Sequence, residues 1–329
     1  MQPTLLVAIG GHALVGTNAS SRVANEPTQV KSICDAVAEL AADGWRIVVT
    51  HGNGPQVGAA LARSEAAIAE AYPLPLDVCV ACTQGEIGLL LQRALEDALD
   101  AKGIRRPVAT VLSQVLVESA DPAFSRPTKP IGPYYSRLEA PARQARGWIM
   151  IEDARGWRRV VPSPEPIAIV EEPVIHRLVE ANVLVIALGG GGIPVVRRNG
   201  RLVGVEAVVD KDLSSALLAT HLRADRLVLA TDVDRAYLDF GTSMARGLDG
   251  VSVEELQRHA EAGHFPAGSM GPKVEAALRF VKAGGIDAIV TSYDQLTMAL
   301  QGRAGTRVEL AAHAGAGERG FRGMLRVTR

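Results

Sequence analysis

The stretch TLLVAIGGHAL, residues 4–14, is a short apolar run broken by a glycine pair. A run of this length, with no polar alternation, reads as a strand covered on both faces that opens into a turn. Five similar runs follow, each bounded by turn residues: RIVVT (46–50), PVATVL (107–112), VLVIAL (183–188), RLVLAT (226–231) and DAIVTS (287–292). Between most of them lie segments with helical periodicity, such as QVKSICDAVAELAADG and KVEAALRFVKAGG. Continuous apolar strands alternating with helices specify an α/β fold with a mainly parallel sheet. Ligands of such sheets bind beyond the carboxyl ends of the strands, so the glycine turns there are the places to search.

The chain has 329 residues, 47% of them hydrophobic, and a formal net charge of −1. That is ample for one large core or two lobes. Near-neutral charge gives no reason to expect a nucleic-acid or membrane-surface partner. No apolar run approaches the ~18 residues of a membrane span, and the N-terminus lacks a signal-type pattern. The expectation is a soluble, cytoplasmic protein. Of three cysteines, Cys79 and Cys82 stand in a CxxC. No second pair completes a zinc site, so they read as small buried side chains.

Residues 119–166 break the strand–helix rhythm, with eight of the 18 prolines and two of the three tryptophans. GWIMIEDARGWRRVV reads as a hairpin turning near Asp153–Gly156, and the region as a protruding flap. A break near residues 200–206 is expected to separate two lobes. Residues 311–329 read as a tail of no assigned role.

Of the 35 basic residues only six are lysine. Lysine is a compact charge that can approach a single oxygen, whereas arginine is a planar fork, so a chain this rich in arginine points to lysines kept for chemistry. Lys31, Lys102 and Lys282 have helix-like, solvated surroundings. Lys129 in PTKPIG, Lys211 in VVDKDL and Lys273 in SMGPKVE sit among prolines, aspartates and glycines. Four glycine turns follow strands: GGH (10–12), HGNGPQVG (51–58), GGGG (189–192) and GSMGPK (268–273). None is a P-loop or a Rossmann fingerprint. Two of them open helices, which presents free N–H groups to an anion. Glycine cradles, three lysines and a stiffened lid point to phosphoryl transfer, which needs positioning and charge stabilisation more than covalent chemistry from the protein. Asp210 and Asp212 read equally well as helix-start residues or as partners that orient a lysine. The histidines have no triad-like context.

In order along the chain, THGNGPQVG, LDVC…TQGEIG, DPAFSRPTKPIGPYY, GWRRVVPSPEP, GGGGIPV, GVEAVVDKDLSSALLA, ATDVDRAY and GHFPAGSMGPKVEAA resemble the carbamate kinases of the amino-acid kinase family. The resemblance spans roughly residues 4–310. It implies an open αβα sandwich around a mainly parallel sheet of about eight strands, with the flap as a small subdomain, in a homodimer. Residues 1–205 would form the carbamate or carbamoyl-phosphate lobe and 206–310 the ATP/ADP lobe, with Mg²⁺ carried by the nucleotide and no metal held by the protein. It implies reversible transfer between ATP and carbamate, run toward ATP. Lys129, Lys211, Lys273 and Asp212 would be catalytic. Gly10, Gly11, His12, Gly52, Asn53 and Gly54 would line the substrate side. Thr231, Asp232, Tyr237, Met270, Gly271 and Lys273 would line the nucleotide side. The family's first loop reads GGNAL where this chain has GGHAL. The residues thus leave two other readings: a kinase of a related small carboxylate or carbamate-like acid, and a weakly active nucleotide-binding paralogue.

Overall fold

A computed structural model describes residues 2–14, 28–153 and 155–311. Its main sheet has eight strands: β1 (Thr4–Ile9), β2 (Arg46–His51), β3 (Val108–Thr110), β4 (Leu184–Ile186), β5 (Arg226–Thr231), β6 (Gly250–Ser252), β7 (Asp287–Ser292) and β8 (Thr306–Glu309). Their spatial order is β6-β8-β7-β5-β1-β2-β4-β3. All neighbours run parallel except β7 and β8, so six strands end at one edge and β6 and β8 run the other way. Each of the six apolar runs becomes one of these six co-directional strands.

Strand periodicity divides the core. Leu5, Val7 and Ile9 face one side, joined by Val49, Ile186 and Val228, against helices α1 (Thr28–Ala42) and α3 (Leu76–Ala101). Leu6 and Ala8 face the other side with Val48, Val185 and Leu229, against α4 (Glu172–Glu180), α5 (Lys211–His221), α6 (Val253–Glu261) and α7 (Met270–Lys282). Successive strand residues thus feed two cores, as a period of two requires, and the result is an αβα sandwich. Each such buried Leu or Ile stabilises by roughly 2 kcal/mol over exposure.

The region from 119 to 166 folds largely apart from that sheet. Lys129–Tyr135, Gly156–Val161 and Met150–Asp153 form a separate three-stranded antiparallel sheet. The expected hairpin is there, with Asp153 opposite Gly156. This flap leans on α2 (Gly54–Ala66) through a backbone contact: a Cβ on Gly58 would run into the backbone of Gly132. At the far end of α2, Glu65 pairs with Arg159 of the flap at 2.7 Å. Near the break expected at 200–206 the chain makes a tight hairpin. Asn199 and Gly200, with φ of 51° and 77°, turn Ile193–Arg198 into Arg201–Gly204. The tail beyond 311 lies outside the described residues.

Candidate active site

Loops from the ends of β1, β2, β4, β5 and β7 gather at the carboxyl edge. Gly10–Gly11 and Gly52 meet backbone to backbone, and a Cβ on Gly52 would lie 2.8 Å from the Gly11 nitrogen. Gly54 opens α2, with proline in the first turn, where its missing N–H costs nothing. Asn53 is buried, and its side-chain amide donates to Thr83 at 2.8 Å. The glycine run after β4 packs on the same residues: a Cβ on Gly189 would sit 2.6 Å from the His51 ring, and one on Gly190 would overlap Asn53. His12 begins its turn in a 3-10 helix, Gly11–Leu14; its side chain lies outside the described residues.

The three singled-out lysines converge here. Lys129 comes from the first flap strand, Lys211 from the first turn of α5 and Lys273 from the first turn of α7. Lys129 pairs with Asp210, Lys211 with one oxygen of Asp212, and Lys273 with the other at 3.1 Å. The two readings of the DKD motif both hold. Asp210 is the N-cap of α5, accepting the Asp212 N–H at 2.9 Å, and it also receives the flap lysine. Ser215 ties α5 to the sheet, donating to the Lys211 carbonyl at 2.6 Å while its oxygen lies 2.6 Å from Thr50 Oγ1.

Electrostatics follow from burial. Burial opposes ionisation of Asp212, but Lys211, Lys273 and Lys129 outweigh it and hold the carboxyl well below the usual carboxylate range. Burial, and then repulsion by Lys273, push Lys211 down against the pull of Asp212. For Lys273 burial is the largest effect, yet Asp212, Asp210 and Asp232 together raise it. His51 is not a turn residue but the buried last residue of β2. Burial lowers it to about 4, against a hydrogen bond to the Gly52 carbonyl, so the ring is neutral at physiological pH.

Of the residues expected to line the nucleotide side, Thr231 ends β5 and Asp232 follows it. Tyr237 lies further along, and its hydroxyl donates to Asp234 at 2.8 Å while its ring packs against Phe240. Met270 and Gly271 open α7, one turn before Lys273, and Met270 packs against the core. Sequence reasoning missed Tyr293. This buried phenol follows β7 and reaches Gly10, and no motif around it announced that reach. Cys34 and Cys79 are buried as expected, whereas Cys82 is exposed on α3. Among the described residues no helix is long and apolar enough to cross a membrane.

A lysine cluster fed by glycine turns at the open edge of this sheet defines a phosphotransferase. The amino acid kinase family model matches residues 3–292, and the chain belongs to that family. Within it, the sequence is 45% identical to the carbamate kinase of Pyrococcus horikoshii, over 94% of this chain and 99% of that one. It is 46% identical to the carbamate kinase-like protein YahI of Escherichia coli, at the same coverage. The carbamate kinase of Giardia lamblia, 40% identical, superposes over 93% of this chain and 98% of that one, with TM-scores of 0.87 bound to citric acid and 0.83 bound to AMP-PNP. Identity and coverage of this extent support carbamate kinase function.

Proposed function

We propose that the protein catalyses ATP + carbamate ⇌ ADP + carbamoyl phosphate, with the cluster of Lys129, Lys211, Lys273 and Asp212 as its catalytic centre. The observation that carries this reading is the meeting of three lysines from three separate segments on one pair of buried aspartates. Toward ATP, a β-phosphate oxygen of ADP attacks the phosphorus of carbamoyl phosphate, and the P–O bond to carbamate breaks. The attacking oxygen is already anionic and the bridging oxygen leaves with the bond's electron pair as the stable carbamate anion, so neither a general base nor a general acid is required. The protein's task is to hold the reactants in line and to neutralise the oxygens of the transferring group. Lysines at its two ends suit this task, since Nζ can follow one oxygen as it moves. Asp212 holds two of them charged and apart.

Gly10, Gly11, Gly52, Asn53 and Gly54, with His12, would take carbamate or carbamoyl phosphate on backbone N–H groups, within the lobe of residues 1–205. Thr231, Asp232, Tyr237, Met270 and Gly271 would take the nucleotide, within 206–310. Both oxygens of Asp212 are taken by lysines, a donor set that fits Mg²⁺ arriving on the nucleotide as part of the substrate. The reading is completed by a cytoplasmic homodimer that works toward ATP in arginine breakdown, a part resting on family resemblance. ATP formation from ADP and millimolar carbamoyl phosphate, followed by a coupled assay, tests it; absence of turnover would sink it.

One residue favours a second reading. His12, where the family has asparagine, offers a titratable ring in place of an amide and could select a related small carboxylate. Rates for carbamate and for short carboxylates, compared between the wild type and His12→Asn, separate the two readings.

A further inference from the structure

The second glycine turn carries one side chain able to read a ligand, the amide of Asn53. Only 2% of Asn53 is exposed, and a Cβ on Gly190 would fall within 2.6 Å of all three amide atoms. The backbone of Gly190, at a φ of 66°, thus lies against the flat of the amide and leaves it two settings, related by a half-turn. Thr83, wholly buried on α3, chooses between them. Its hydroxyl donates to the Val80 carbonyl at 2.7 Å, so its one proton is committed and Oγ1 faces Asn53 as an acceptor. The amide N–H therefore points at Thr83, at 2.8 Å, and Oδ1 is turned the other way. Gln84, the next residue of α3, donates to the Gly189 carbonyl at 2.9 Å and accepts the Ser113 N–H at 2.8 Å. These bonds fix the turn that presses on the amide. Among the described residues nothing donates to Oδ1, and the atom is not sealed from solvent. A buried acceptor left open at a substrate turn is placed for a donor on the ligand.

We infer that Thr83 is a positioning residue that determines specificity: it sets the Asn53 amide so that Oδ1 accepts from the NH2 of the carbamoyl group. The inference rests on the assignment of the Gly52–Gly54 turn to carbamate or carbamoyl phosphate made above. Carbamoyl phosphate and acetyl phosphate have nearly the same shape, but one presents N–H donors where the other presents a methyl group. An acceptor in this place favours the first. An amide turned over, with its own N–H groups outward, would disfavour it.

The test compares carbamoyl phosphate with acetyl phosphate in ATP formation from Mg–ADP by wild type, Thr83→Val and Thr83→Ser, with Tm for each. Valine keeps the volume of threonine but removes the acceptor, which frees the amide to turn its N–H groups toward the ligand. Thr83→Val should lower kcat/KM for carbamoyl phosphate about tenfold or more, and that for acetyl phosphate less than about twofold. Thr83→Ser keeps the hydroxyl and should restore the wild-type ratio of the two. If acetyl phosphate gives no turnover, its Ki against carbamoyl phosphate is read in place of kcat/KM. Thr83→Ala replaces Thr83→Val if the latter does not fold. An unchanged ratio in the folded variant, or a ratio that serine does not restore, overturns the inference, since a merely structural role would slow both substrates alike. Wild type that forms no ATP from carbamoyl phosphate sinks the proposed function and the inference with it. Wild-type turnover with an unmoved ratio sinks the inference alone.

Discussion

The sheet buries charge at both of its ends, and the two ends do it differently. At the amino end, Asp287 at the start of β7 lies between Arg226 of β5 and Arg307 of β8. Both guanidinium groups also donate to main-chain carbonyls, Arg226 to Leu300 at 3.2 Å and Arg307 to Ala299 at 2.9 Å. Burial still prevails there, and Asp287 sits above the ordinary carboxylate range. At the carboxyl end the outcome is reversed, because three lysines outweigh burial and Asp212 sits far below that range. Forked donors saturated by fixed carbonyls make a joint. Point charges in excess over their carboxylates make a site that can still accept an anion.

Substitutions at the two ends should therefore separate stability from rate. Asp287→Ala leaves two buried guanidinium groups facing each other and should cost about 3–5 kcal/mol of unfolding free energy, with kcat at 25 °C unchanged. Chemical denaturation alongside steady-state kinetics checks this, and a large loss of kcat in a folded variant would break the contrast. At the other end, His51 tests how dry the site floor is. Its value of about 4 in the folded chain lies below the 6.5 of an unfolded histidine. The unfolded state then binds more protons between those values, so stability should hold above pH 6.5 and fall as pH drops toward 4, by up to roughly 3 kcal/mol. His51→Gln should flatten that limb of a Tm-against-pH profile; an unchanged limb would mean that the ring is wetter than its burial implies.

Lys129→Ala should lower the ATP-forming rate about 10²-fold or more while Tm moves little, since Asp210 keeps its helix-cap bond. A rate within about twofold of wild type would remove the flap lysine from the chemistry. The mildest change is Arg307→Lys, which exchanges a fork for a point charge at the structural end. It should cost about 1 kcal/mol by denaturation and nothing in rate.

Much of this was readable from residue order. Six apolar runs became the six co-directional strands, because a strand buried on both faces must be apolar throughout. The two strands at one end of the sheet, β6 and β8, were missed, being only three and four residues long with polar positions among them. Scarcity of lysine pointed to the three that converge. Their convergence on Asp210 and Asp212 depended on where the flap lands, and no local pattern encodes that. Tyr293 was hidden for the same reason: its reach to Gly10 crosses a strand that joins the neighbourhood only through the sheet. CVAC misled for Cys82, since helical spacing carried one cysteine inward and left the other outside.

The backbone contact between Gly58 and Gly132 makes α2 a lever. The turn at Gly52–Gly54 would be its pivot, and the strand that carries Lys129 rides on it one turn out. Gly54 and Gly58 are about 6 Å apart along the axis, so a tilt of about 10° moves the load by about 1 Å. That travel is comparable to the misplacement that costs an enzyme about 10²-fold in rate. The Glu65–Arg159 pair, at the outer end of the same arm, would then hold such a tilt in check from well away from Lys129.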